Sequence, residues 1–188
     1  MNEIQVVALV GMPGSGKSFC VEHLTKKGFP SVYFGGVIVD EVKSRGLEVN
    51  EANEKLVRED MRAKEGKEVV AKRIIKKIED LAAQGQKKIV ADGIYTWSEY
   101  KLFKEHFGEH VTVIAIAAPR KTRHERLAKR PIRPLSEEEA STRDYAEIEN
   151  LEKGGPIANA DYTLVNDFTP DKLLEDLDNL LRKTSFLN

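Results

Sequence analysis

The feature that most limits what this chain can fold into is the octapeptide Gly11-Met12-Pro13-Gly14-Ser15-Gly16-Lys17-Ser18, set between an apolar run at 5–10 and a helical one at 17–27. Glycines at this spacing let the backbone wrap so that successive N–H groups point inward at phosphate oxygens. The following helix adds its positive end, Lys17 offers a mobile cation to β- and γ-phosphates, and the Ser18 hydroxyl suits the octahedral shell of Mg²⁺. The segment reads as a phosphate-binding loop. Its candidate nucleotide contacts are Gly11, Pro13, Gly14, Ser15, Gly16, Lys17 and Ser18, with Phe19 beside them, and ATP and Mg²⁺ are the expected cofactors.

A strand-loop-helix start needs a sheet to sit in. Two further β-branched runs, 88–91 and 111–117, alternate with helical periodicity, which predicts a parallel sheet, and 31–34 and 161–165 are shorter strand candidates. Helices are expected over 17–27, 37–45, 51–64 and 67–84, each stopped by a glycine, the last with Val70, Ile74, Ile78 and Leu81 on one stripe. Thr96 with Glu99 and Ser136 with Glu139 have capping-box spacing. The second box should open a helix running to about 153, where Gly154-Gly155-Pro156 ends it. Thr169-Pro170 should open a C-terminal helix that turns Leu173, Leu174, Leu177, Leu180 and Leu181 to the core. Between Arg130 and Pro134 two prolines forbid helix, giving a hinge.

Composition removes several functions. Thirty Lys and Arg against 31 Asp and Glu leave a net charge of -1, so no basic field exists to release counterions from nucleic acid. A single cysteine, Cys20, excludes an internal disulfide framework and a multi-thiolate zinc site and reads as core packing. The longest apolar run, 111–118, is too short to cross a bilayer, so a cytoplasmic protein, monomer or homodimer, is expected. A GTPase would carry Asn-Lys-x-Asp, which 165–168 is not, and an AAA-type ATPase needs a further small domain for which 188 residues barely leave room.

A small kinase needs less: the loop, a metal-orienting carboxylate, an acceptor pocket and a cationic lid. Asp92 ends the third apolar run, which places it at the carboxyl edge of the sheet, where it could hold Mg²⁺ through water. Arg123, Arg126 and Arg130 recur at spacings of three and four, on one helical face able to sit over a triphosphate. Arg126 and Arg130, next to the hinge, are the candidate catalytic pair with Lys17 and Asp92; ion pairing along a solvated face is the plainer alternative. His106 and His110 are separated by a helix-breaking Gly108, Trp97 reads as the start of a helix or the wall of a cleft, and Lys72, Arg73, Lys76 and Lys77 as a solvated face.

Together with Tyr33-Phe34-Gly35-Gly36, Ala91-Asp92-Gly93-Ile94, the Arg123 to Arg130 run, Arg143-Asp144 and Ala160 to Asn166, the loop resembles the adenylate kinase and dephospho-coenzyme A kinase group, and most closely a small ATPase family related to them. The resemblance implies a three-layer α/β/α phosphate-loop fold with a five-stranded parallel sheet, one domain over 1–188, an acceptor-binding helical region at about 35–66 and a lid at about 129–153. It also implies an adenine site between the lid-base helix and the loop around Asn166 to Phe168, with Arg126 and Asn166 among the nucleotide contacts. The chain departs where that group carries arginines for an acceptor monophosphate: Val39 and Tyr95 stand there instead, with Arg45, Arg58 and Arg62 as open substitutes. The expectation is an ATP-dependent small-molecule kinase whose acceptor is nucleotide-like, with AMP disfavoured; the alternative is an ATP-binding switch or slow ATPase that regulates a partner.

Overall fold

Period-two burial builds the sheet. In β1 (Gln5–Val10), Val6, Ala8 and Val10 enter one core cluster while Val7 and Leu9 enter another, and β4 (Val111–Ala117) divides the same way. Strands apolar on both faces sit between helical layers. β3 (Lys88–Asp92) and β4 flank β1, β2 (Ser31–Tyr33) lies outside β3, and β5 (Tyr162–Val165) outside β4. All pairings are parallel, in the order β2-β3-β1-β4-β5. The computed structural model describes residues 4–187, so Met1 to Glu3 and Asn188 of the expected 1–188 unit lie outside the described residues.

Helices cover both faces, as expected. On one, α1 (Lys17–Lys26) and α9 (Pro170–Lys183) bury Cys20, Leu24, Leu173, Leu177 and Leu181. On the other, α2 (Phe34–Ser44), α3 (Glu51–Glu65), α4 (Val69–Ala83) and α5 (Trp97–Phe107) bury Phe34, Met61, Ile74 and Phe103. After β4 come α6 (Arg120–Ala128), α7 (Glu137–Glu149) and the short α8 (Gly154–Ala158). Both capping boxes form. Among the described residues no helix is long and apolar enough to cross a membrane, and no group of three or more His, Cys, Asp and Glu could hold a metal.

Three local expectations fail. α2 starts at Phe34 rather than 37, because Phe34 is fully buried and the Tyr33 ring lies across the glycines; a Cβ at Gly35 would come 2.4 Å from Tyr33 Oη. α7 stops at Glu149, and Gly154-Gly155-Pro156 opens α8 instead of ending a helix, since proline's missing N–H costs nothing in a first turn. Gly155 is held there by Trp97, whose Cε3 would stand 2.8 Å from an added Cβ. Trp97 also stacks on Tyr100 with centroids 5.1 Å apart, so it serves packing and does not line the cavity beside the loop 11–18. The arginine helix α6 ends at Ala128, leaving Arg130 beyond it and not on a shared face.

Candidate active site

β1 is flanked by neighbours reached by crossovers in opposite directions, and the crevice beyond such a switch point is where open α/β sheets bind ligands. The loop 11–18 leaves β1 there and feeds α1. Its shape depends on missing side chains. Gly14 and Gly16 have φ of 79° and 100°, and a Cβ would meet the Arg123 carbonyl oxygen at 2.6 Å or Asn166 Nδ2 at 2.2 Å. Asp92 reaches the same crevice at the end of β3, opposite Leu9 in register, and Lys17 Nζ is paired with its carboxylate.

Residues 11–18 form one wall of a cavity of about 620 Å³ whose lining also includes Asp92, Arg126, Arg130 and Arg143. Farther from the loop it is lined by Tyr33, Phe34, Arg58, Arg62, Tyr95, Glu99 and Lys153. The structure thus gathers Gly11, Pro13, Gly14, Ser15, Gly16, Lys17, Ser18, Asp92, Arg126 and Arg130 of the expected site. Two members lie elsewhere. Phe19 is 40% exposed and does not line the cavity. Asn166 is buried behind the loop, where Nδ2 donates to the Ser15 carbonyl at 2.7 Å and Oδ1 accepts from Arg126 Nη2 at 3.3 Å. It positions the loop and Arg126 from the rear.

Arg123 corrects the expectation of three arginines over a triphosphate. Its guanidinium is buried against Asp144 through bonds of 2.8 and 2.7 Å, and Nη1 also donates to the Pro13 carbonyl at 3.0 Å. His124 bridges the same Asp144 at 3.0 Å and Glu137 at 2.8 Å. Arg123 therefore ties α6 to α7 and braces the loop. Burial and the nearby Arg143 lower the pKa of Arg130, which increases its appetite for an anion.

Sequence reasoning missed Lys153, Glu99 and Glu147. Lys153 is 3% exposed, paired with Glu147, and lies over the Tyr95 ring at 4.7 Å; burial lowers its pKa against the opposing pull of Glu147. Glu99 spends Oε2 on the Tyr95 and Thr96 amides, while Oε1 has no partner, and burial raises its pKa. A spacing of six between Glu147 and Lys153 is not a helical neighbour, and the capping-box spacing marks Glu99 as a helix cap rather than a cavity residue. Val39 does not line the cavity and Arg45 is engaged by Glu41 and Asp60, but Arg58 and Arg62 do line it.

The residues fit a phosphate-bearing cofactor. Among the described residues, the buried polar atoms without partners include Ser15 Oγ and Arg126 Nη1, both on the walls beside the loop. Buried donors of this kind are costly unless a ligand satisfies them.

A family model described as an AAA domain matches residues 7–147. The UPF0200 protein of Thermococcus onnurineus is 35% identical over 95% of this chain and 97% of its own. The UPF0200 protein of Sulfurisphaera tokodaii is 36% identical over 97% and 99%. Among solved structures, TT1252 from Thermus thermophilus superposes with a TM-score of 0.67 at 21% identity, covering 96% of this chain and 98% of its own. Shikimate kinase from Acinetobacter baumannii does so at 0.55 and 17%, covering 96% and 94%. These likenesses show the fold, a phosphate-loop NTPase α/β sheet of the kinase-like kind. The want of room for an extra small domain does not keep the chain out of a family matched over its nucleotide-loop core.

Proposed function

We propose, from the premise that the chain belongs to the AAA-domain family matched over residues 7–147 and to the UPF0200 proteins, that it is an ATP-dependent phosphotransferase acting on a small molecule. One observation carries the reading: the phosphate loop and a second cationic surface, on α3 and at Lys153, share one cavity, so donor and acceptor have a common chamber. A binding switch needs only the first surface. The chain is read as one domain, with the acceptor region at about 35–66 and a lid at about 129–153.

The loop amides, Lys17 and Ser15 would grip the triphosphate, with Ser18 and Asp92 holding Mg²⁺. Mg²⁺, when bound, neutralises charge on the β- and γ-oxygens. Lys17 would exchange its Asp92 partner for phosphate oxygens, leaving that carboxylate available to hold Mg²⁺. Arg126, braced by Asn166, keeps Nη1 for phosphate, and Arg130 and Arg143 reach the transferring group from the lid, where charge on its equatorial oxygens grows.

Purified protein with Mg-ATP and a panel of nucleotides, dephospho-coenzyme A and sugar acids tests the reading. Acceptor-dependent ADP release, lost in Lys17→Ala, is expected. Slow acceptor-independent hydrolysis across the whole panel would instead favour the regulatory switch.

A further inference from the structure

The half of the cavity away from the phosphate loop holds a charge arrangement that the donor site does not use. Arg58 and Arg62 stand one turn apart on α3, on the same side of the helix, and both line the cavity. Other arginines of the chain are engaged: Arg45, Arg73 and Arg123 each have a carboxylate oxygen at 2.7 Å. Among the described residues the carboxylate that Arg62 approaches is Glu99, at 3.9 Å, too far for a hydrogen bond, and its buried Nε has no hydrogen-bond partner there. Arg58 has no ion pair among the described residues. Burial and the neighbouring Arg58 both lower the pKa of Arg62, with Glu99 opposing.

Two guanidinium groups crowded in one wall, one with an unsatisfied buried donor, form a site that is complete only with an anion in it. The number of donors selects the anion. Two planar forks, with Lys153 on the same cavity, present more N–H groups than the two oxygens of a carboxylate can accept, and match the three terminal oxygens of a phosphomonoester. The unpartnered Oε1 of Glu99, 3.9 Å from Arg62, is an acceptor for a hydroxyl on the same ligand. The aromatic walls Tyr33, Phe34 and Tyr95 suit its organic part.

We propose that Arg58 and Arg62 seat the phosphate of a phosphomonoester-bearing acceptor, such as a nucleoside 5′-monophosphate or a sugar phosphate. This rests on the phosphotransferase reading. It reverses the disfavour of AMP drawn from Val39 and Tyr95, because α3 supplies from a different element the cations those positions lack.

Calorimetry on full-length protein saturated with Mg²⁺ and a non-hydrolysable ATP analogue tests it, since the phosphate loop is then filled. The titrants are AMP, GMP, CMP, UMP and ribose 5-phosphate, each beside its dephosphorylated counterpart. At least one phosphorylated probe should bind about 10-fold or more tighter than its counterpart, and Arg58→Gln or Arg62→Gln should each remove about 10-fold of that, the worth of one charge-assisted hydrogen bond. The ATP analogue's own Kd should stay unchanged in both variants, which also shows that they are folded. Equal affinity for every phosphorylated and dephosphorylated pair would overturn the seat, and so would a preference for phosphate that survives both substitutions. Failure of the wild type to bind the ATP analogue would sink the phosphotransferase reading, and the seat with it.

Discussion

Lys17 is held in a pair with Asp92 rather than in the core, with 13% of its side chain exposed, so its loss removes a phosphate ligand without leaving a cavity. Lys17→Ala should abolish turnover while the protein still melts cooperatively. Mg-ATP should raise the wild-type midpoint by mass action and that of the variant much less; equal shifts would remove Lys17 from the site. Arg130 belongs to a different moment of the reaction. It lies past the end of α6 with no carboxylate partner among the described residues, so under the proposed function its strongest bond would be the one made with charge developing in transfer. Arg130→Ala should lower kcat by about 10²-fold with little change in ATP affinity, and single-turnover kinetics would read that split. These two residues, with Asp92 and Arg126, were legible from spacing because a local motif or a strand end carries each of them. Lys153 and Glu147 were not, since only the path of α7 and the chain's return after it bring them to the crevice, and Glu99 was legible only as a cap of α5.

The junction of α6 and α7 depends on Asp144, which accepts two bonds from Arg123 and one from His124 while its side chain is 7% exposed. Burial alone would raise the Asp144 carboxyl, but the hydrogen bonds from Arg123 and His124 outweigh it and hold the group below its ordinary 3.8. A carboxyl more acidic folded than unfolded gives stability that is complete above pH about 4 and lost as pH falls through the depressed folded value, because the unfolded chain then binds the extra proton. Asp144→Asn should therefore cost about 3 to 5 kcal/mol at pH 7, where the buried Arg123 loses its counter-charge, and progressively less toward pH 3. Urea denaturation across that range checks the sign; a cost constant with pH would deny Asp144 its charge-pairing role. The pair was invisible in sequence, where Arg123 and Asp144 are 21 residues apart and no local spacing joins them. Strands and caps were legible because periodicity of two and a Ser or Thr three residues before Glu are local signals. The start of α2 and the existence of α8 were not, since Tyr33 over Gly35 and Trp97 over Gly155 are contacts that override the ordinary stop reading of paired glycines.

Across the whole molecule the sheet separates two cores, and the site hangs from one of them. The cluster holding Met61 and Phe34 lies under α2 and α3, which carry Arg58 and Arg62, whereas the cluster holding Leu177 lies under α1 and α9, behind the phosphate loop. Both Met61 and Leu177 are fully buried, so truncating either should cost about 2 to 5 kcal/mol in urea denaturation. Their functional consequences should differ. Met61 is one residue from Arg62 on the same helix, and a gap beneath it lets that helix settle or rock, which misplaces both guanidinium groups relative to the cavity. Leu177→Ala leaves α3 untouched. Met61→Ala should thus raise the acceptor KM several-fold at a temperature where both variants are folded, while Leu177→Ala should leave it near wild type, with ATP affinity retained in both. Steady-state kinetics on the two variants, matched for stability by their urea curves, decides the matter. Equal acceptor KM values would mean that α3 holds its arginines independently of the core beneath it, and that the acceptor half of the site is set by the cavity rim alone.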